Sequence, residues 1–184
     1  MSILETILFY AVSCSAVFMY GIGMERSFLD SGKDIAFFLR IPAMLVLSLG
    51  SFIVLWYPVS VFLVPFNLSY LVPVLTVTIC VLMQIGLSLT GYTEKPVPGE
   101  ERIFYFGIVL LALFEGTSFL TGILVVLSGI LSWVLVTILL FSIRERISPS
   151  RIPYAWKGAP ISLVSLGLLS LAFYAPDISW WVLP

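Results

Sequence analysis

From Ile103 to Ile143 the chain runs 41 residues with a single charged side chain, Glu115, and basic residues stand just outside both ends, Arg102 before and Arg144 and Arg146 after. As one helix this run would be roughly 60 Å long, about twice the ~30 Å hydrocarbon core of a bilayer. The chain is therefore expected to fold back inside it. The only segment there with turn chemistry is Glu115-Gly-Thr-Ser-Phe-Leu-Thr-Gly122. A reversal at Glu115 leaves a first leg, 103–114, of 12 residues, too few to cross as a straight helix. A reversal nearer Gly122 gives two legs that can cross but carries Glu115 into the membrane. Either a helix is broken at mid-depth or a carboxylate is buried. Lipid penalises both, and chains that keep such features generally use them.

The remainder divides in the same way. Hydrophobic residues make up 60% of the chain and charged ones 10%, which implies an all-α polytopic membrane protein. The net charge of −1 gives no reason to expect a nucleic-acid partner, and the absence of histidine excludes bis-histidine haem and any histidine proton relay or metal site within this chain. The start, Met1-Ser-Ile-Leu-Glu-Thr, lacks a positive leader and a small-residue cleavage site, so it reads as a retained first span. That span is the uncharged run Thr6–Met24. After a polar hairpin around Asp30–Asp34, Ile41–Thr93 is uncharged for 53 residues, enough for two spans and a turn marked by Pro58, Pro65 and Asn67. The loop Glu94–Arg102 precedes the central run. The basic loop Arg144–Lys157 follows it, and Gly158–Pro176 forms the last run, ahead of Asp177 and an aromatic anchor at Trp180-Trp181.

Six spans result, and charge orients them. Arg26, Lys33, Arg40, Lys95, Arg102, Arg144, Arg146, Arg151 and Lys157, all nine basic residues, fall on or beside the loops after spans one, three and five. The positive-inside rule makes that face cytoplasmic and puts both termini outside. The expected architecture is one integral domain over 1–184, with three-helix halves at 1–93 and 103–184. Three spans per half make any duplication inverted. Residues 45–56 and 124–133 are weakly alike, and their small residues (Ser48, Gly50, Ser51; Ser128, Gly129, Ser132) suit close helix packing.

The segment Phe141-Ser-Ile-Arg-Glu-Arg-Ile147, then Pro153, Gly158 and Ile161-Ser-Leu-Val-Ser-Leu-Gly-Leu-Leu-Ser-Leu-Ala-Phe173, resembles the closing loop and helix of the Rnf/Nqr membrane-subunit family. Within it the A subunit of Rnf and the E subunit of the sodium-pumping NADH:quinone reductase are most alike. Gly23, Ser31 with Lys33, and Gln84 support the resemblance. It implies an inverted repeat of three plus three helices with broken first and fourth helices, in the prokaryotic cytoplasmic membrane. It also implies a homologous six-helix sister subunit, flavin-containing partner subunits, and a [2Fe-2S] cluster held between the sisters by two cysteines from each. The implied role is a non-catalytic subunit of a complex coupling electron transport to Na⁺ or H⁺ translocation.

The sequence departs from that pattern where the cluster ligands belong. Ile22-Gly-Met-Glu25-Arg26 stands where the family has Leu-Gly-Leu-Cys-Pro, and Phe114-Glu-Gly-Thr-Ser-Phe119 where it has Asn-Cys-Ala. No cluster ligand is carried onto the chain. Cys14 and Cys80 read as buried, inert thiols, the alternative being cluster ligands shared with a partner. Glu25 and Glu115 remain at the two breaks and are candidates, with Gln84, for an ion or proton path. Carboxylates are hard oxygen ligands, suited to a cation or proton and unable to replace thiolates around iron. The plainer readings are an interfacial Glu25–Arg26 ion pair and a carboxylate in an outer turn at Glu115. A different functional class is a stand-alone six-helix secondary transporter or channel with Glu115 as its coupling site. A third is an assembly component without a transport role.

Overall fold

The computed structural model describes residues 7, 9–13, 15–23, 36–89, 99–147 and 159–182. Among them every regular element is helical: α1 (Ala16–Tyr20), α2 (Ala36–Pro58), α3 (Val72–Leu89), α4 (Gly99–Glu115), α5 (Phe119–Ile147) and α6 (Ala159–Val182). Three stretches are long and apolar enough to cross a bilayer, Ile41–Leu63, Ser69–Leu89 and Phe119–Ile147. Ile103–Glu115 and Pro160–Tyr174 are apolar but shorter. Large apolar side chains stand on the outside, among them Val74, Leu82 and Ile85 of α3 and Leu163, Leu168 and Leu171 of α6. So much exposed hydrocarbon is untenable in water and natural in lipid. The chain is an integral membrane protein. It forms two compact units, 35–130 and 1–34 with 131–184.

In the first unit α2 and α3 make an antiparallel hairpin, with Gly50 lying against the Met83 side chain. Pro58 does not mark the turn as expected. It sits inside the helix end, and because it offers no N–H the bonding passes to a wider register, with Val64 N donating to Val59 O at 3.0 Å. The helix therefore runs on to Leu63. The reversal falls at Val64–Leu68, where Asn67 takes a left-handed conformation (φ 55°) and Leu68 N donates to Leu63 O at 2.9 Å. Met44, Leu47, Ser48, Ser51, Phe52 and Leu55 form the buried stripe of α2, spaced three and four apart. Phe104, Ile108 and Ala112 of α4, with Val125 and Val126 of α5, complete the core.

The central run does fold back. Ile108 Cγ1 lies 3.7 Å from where a Cβ on Gly129 would sit, and such an atom on Gly116 would come within 2.9 Å of Gly122 Cα. Both pairs are centred near residues 118–119, so α4 and α5 are antiparallel, and the three residues between them, Gly116–Ser118, make the reversal. Gly122, the alternative turn point, instead lies in the first turns of α5. A Cβ there would meet the Phe52 ring, with Cε2 at 2.8 Å. Glycine is required by the ring and not by backbone conformation. Phe52 stacks on Phe119 (centroids 6.0 Å, 23°), and Trp56 closes the cluster at 5.6 Å from Phe52 and 6.0 Å from Phe119. The reversal is thus clasped to α2. The short leg keeps an apolar length of only about 20 Å, well under the ~30 Å of hydrocarbon.

In the second unit the first uncharged run is interrupted. A π-helical turn at Phe9–Ser13 gives way at Ser15 (φ −53°, ψ 121°) to the five residues of α1, which ends at Gly21 (φ 67°) with its N–H returned to Ala16 O. The buried Ser15 Oγ is 2.6 Å from Ser132 Oγ on α5, and Phe18 packs on Phe173 of α6 at 5.0 Å.

Gly122→Val should destabilise the protein by about 1–3 kcal/mol through overpacking against Phe52, read as a fall in thermal unfolding midpoint in detergent. In a double-mutant cycle, Ser15→Ala with Ser132→Ala should show a coupling of about 0.6 kcal/mol, the usual worth of a hydrogen bond between membrane helices.

Candidate functional site

Ending α4 at Glu115 leaves its last carbonyls without intrahelical partners, and starting α5 at Phe119, after three residues, leaves its first N–H groups in the same position. The sequence answers the second requirement locally. Ser118 caps α5: Thr121 N donates to Ser118 Oγ at 3.3 Å, and Ser118 N donates to Thr121 Oγ1 at 2.7 Å. This is a capping box with threonine in place of the usual glutamate. Thr121 Oγ1 also donates to Ser118 O at 2.8 Å and lies 3.5 Å from Thr117 Oγ1. The Ser-x-x-Thr spacing ahead of an apolar run was available in the sequence as the signal for the reversal, and the longer window to Gly122 obscured it.

Glu115 is the last residue of α4 and is half-buried. Glu115 therefore ends one helix at its negative pole, three residues before the cap of the next. The residues of this elbow carry carboxylate, carbonyl and hydroxyl oxygens. Such a set suits a hard cation or a proton, and broken membrane helices elsewhere use the same parts.

Gln84 and Cys80 come together elsewhere. Both line a half-open cavity of about 300 Å³ with Val77, Val81, Ile103, Tyr105 and Phe106. Gln84 is 9% exposed and, among the described residues, its Nε2 has no hydrogen-bond partner. The Ser51 hydroxyl bonds the Cys80 sulfur. Glu115 is not among the lining residues. It lies nine residues beyond Phe106 on the same helix, about 14 Å away, so the three candidates make two sites and not one. Tyr105 and Phe106 were not foreseen, since nothing in their local pattern distinguishes them from other core aromatics. Glu25 and Cys14 lie outside the described residues.

No family model matches the chain. The A subunit of the ion-translocating oxidoreductase complex of Buchnera aphidicola subsp. Schizaphis graminum is 30% identical over 139 residues, 67% of this chain and 69% of that protein. The chain belongs to the Rnf/Nqr membrane-subunit family. Proteins of the same name from Azoarcus sp. strain BH72 and Vibrio vulnificus strain YJ016 are 40% and 42% identical over 67 residues, 36% of this chain and 35% of each relative. About a third of those two relatives' length is therefore matched.

A two-iron cluster of the kind the Rnf/Nqr resemblance implies takes four cysteine thiolates. Among the described residues Cys80 supplies a single thiol, held by Ser51 in apolar surroundings, and no three histidine, cysteine or acidic side chains gather. The described residues do not fit such a cluster.

Ser118→Ala should cost about 1 kcal/mol of stability, measured by thermal unfolding. Ser118→Asn should retain most of it, because an uncharged amide oxygen caps equally well.

Proposed function

We propose that this Rnf/Nqr-family chain is a membrane component of a complex that couples electron transport to Na⁺ or H⁺ translocation, that it binds no iron–sulfur cluster of its own, and that the Glu115 elbow belongs to the ion or proton path. The observation that carries this reading is the carboxylate at a helix break. Lipid selects against both features, and here they coincide. The relatives are named as A subunits of ion-translocating oxidoreductase complexes, which points to the same setting. In this reading six spans lie in the cytoplasmic membrane with both termini outside, forming one domain whose halves are inverted. Flavin-containing subunits complete the complex, together with a homologous sister of this chain. Glu25 is the counterpart of Glu115 in the first half. Gln84, which does not ionise, could serve a path only by lending its amide oxygen or holding a water.

Glu115 would bind its cation through the carboxylate together with the carbonyls that end α4, while Thr117, Ser118 and Thr121 hold the elbow open. Glu115→Gln keeps the shape and one oxygen and removes the charge. In the intact complex, reconstituted in vesicles, it should lower ion translocation by about tenfold or more while electron transfer continues. Unchanged translocation would remove Glu115 from the path. A two-iron signal from the chain purified alone would overturn the claim that it binds no cluster.

A further inference from the structure

The cavity on α3 and α4 is unlike the elbow in chemistry. At about 300 Å³ it is large enough for a small ligand, and Val77, Val81, Ile103 and Phe106 give it an apolar lining. Among the described residues it holds one unanswered polar group, the Nε2 of Gln84, on a side chain more than nine-tenths buried. A buried amide left without a partner costs about 1–3 kcal/mol. Water is a poor answer, because a stable buried water needs two to four polar partners. Here the Cys80 sulfur is already bonded to the Ser51 hydroxyl. A charged ligand is a worse one, since the walls would leave its charge unsolvated. What fits is an acceptor oxygen on an apolar body. The rim suits a molecule arriving from the bilayer, since Val77, Val81 and Ile103 are exposed hydrocarbon.

We propose that this cavity binds a lipid-soluble carbonyl compound, its carbonyl oxygen accepting a hydrogen bond from Gln84 Nε2 and its apolar body lying against Val77, Val81 and Phe106. Two bilayer components carry this chemistry, the ester carbonyl of a phospholipid and the ring carbonyl of a quinone. The inference requires only that these helices lie in lipid. It does not depend on the role assigned to Glu115 or on any partner in a complex.

Cys80 reports on occupancy, because it lines the same cavity. The full-length chain carrying Cys14→Ser is placed in vesicles of dialkyl-ether phosphatidylcholine, which lacks carbonyls. It is compared with the same chain in diacyl phosphatidylcholine of equal chain length, and in the ether lipid supplemented with decylubiquinone. The rate of Cys80 alkylation by N-ethylmaleimide is followed by mass spectrometry. One good hydrogen bond corresponds to about a tenfold change in occupancy, so alkylation should be about tenfold slower wherever the ligand is present. Slowing in the diacyl lipid identifies the ester, and slowing only with decylubiquinone identifies the ring ketone. Gln84→Met, which matches the side chain in length and removes the donor, should abolish the difference. Equal rates in all three vesicles, or a difference that survives Gln84→Met, would overturn the proposal. With Gln84 in place, the comparison among lipids is decisive by itself.

Discussion

A membrane helix that stops and reverses must satisfy the backbone groups that its ends leave open. In this protein the demand falls on three residues, Gly116–Ser118, and the surrounding structure is arranged to meet it. The Ser118–Thr121 box supplies the first turn of α5 with acceptors. Gly116 and Gly122 let the two backbones approach within the space of a methyl group. Phe119 is held by Phe52 and Trp56, which ties the turn to α2. Loosening any of these would free Glu115 to leave the end of α4.

The other hydroxyls show how lipid shapes polar chemistry. Ser48, Thr76, Ser128, Thr137 and Ser165 each return a hydrogen bond to a carbonyl three or four residues back, to Met44, Val72, Val125, Trp133 and Ile161 respectively. They are polar in name and self-contained in practice. Ser15 and Ser132 instead meet across elements, which locks the interrupted first run to α5. Against that background the Gln84 amide stands out, for a carboxamide is too long and carries too many donors to be absorbed by its own helix.

Much of this was legible in the sequence and some of it was not. The reversal in the central run follows from length alone, since 41 residues with one charge cannot cross once and stop. Its location was harder. Gly122 looked like a turn residue, but its smallness serves the Phe52 ring, a contact with a residue far earlier in the chain. Pro58 misled for a related reason, because a proline at a membrane-helix end can be absorbed by one wider turn. The apolar cavity could not be read at all, as it exists only once α3 and α4 are side by side. Glu115 was legible as an exception because a lone charge in such a run is improbable. The chemistry of its neighbours came from backbone geometry that composition does not encode.

The unequal legs of the central hairpin bear on how the chain reaches the membrane in the first place. α4 offers a 13-residue segment, 12 uncharged residues and a closing acid, that partitions weakly from the insertion machinery by itself, whereas the 29 residues of α5 partition strongly. Synthesis delivers the weak segment first. That order favours entry of α4 together with α5 as a pair, which gives Gly116–Ser118 a part in biosynthesis as well as in structure.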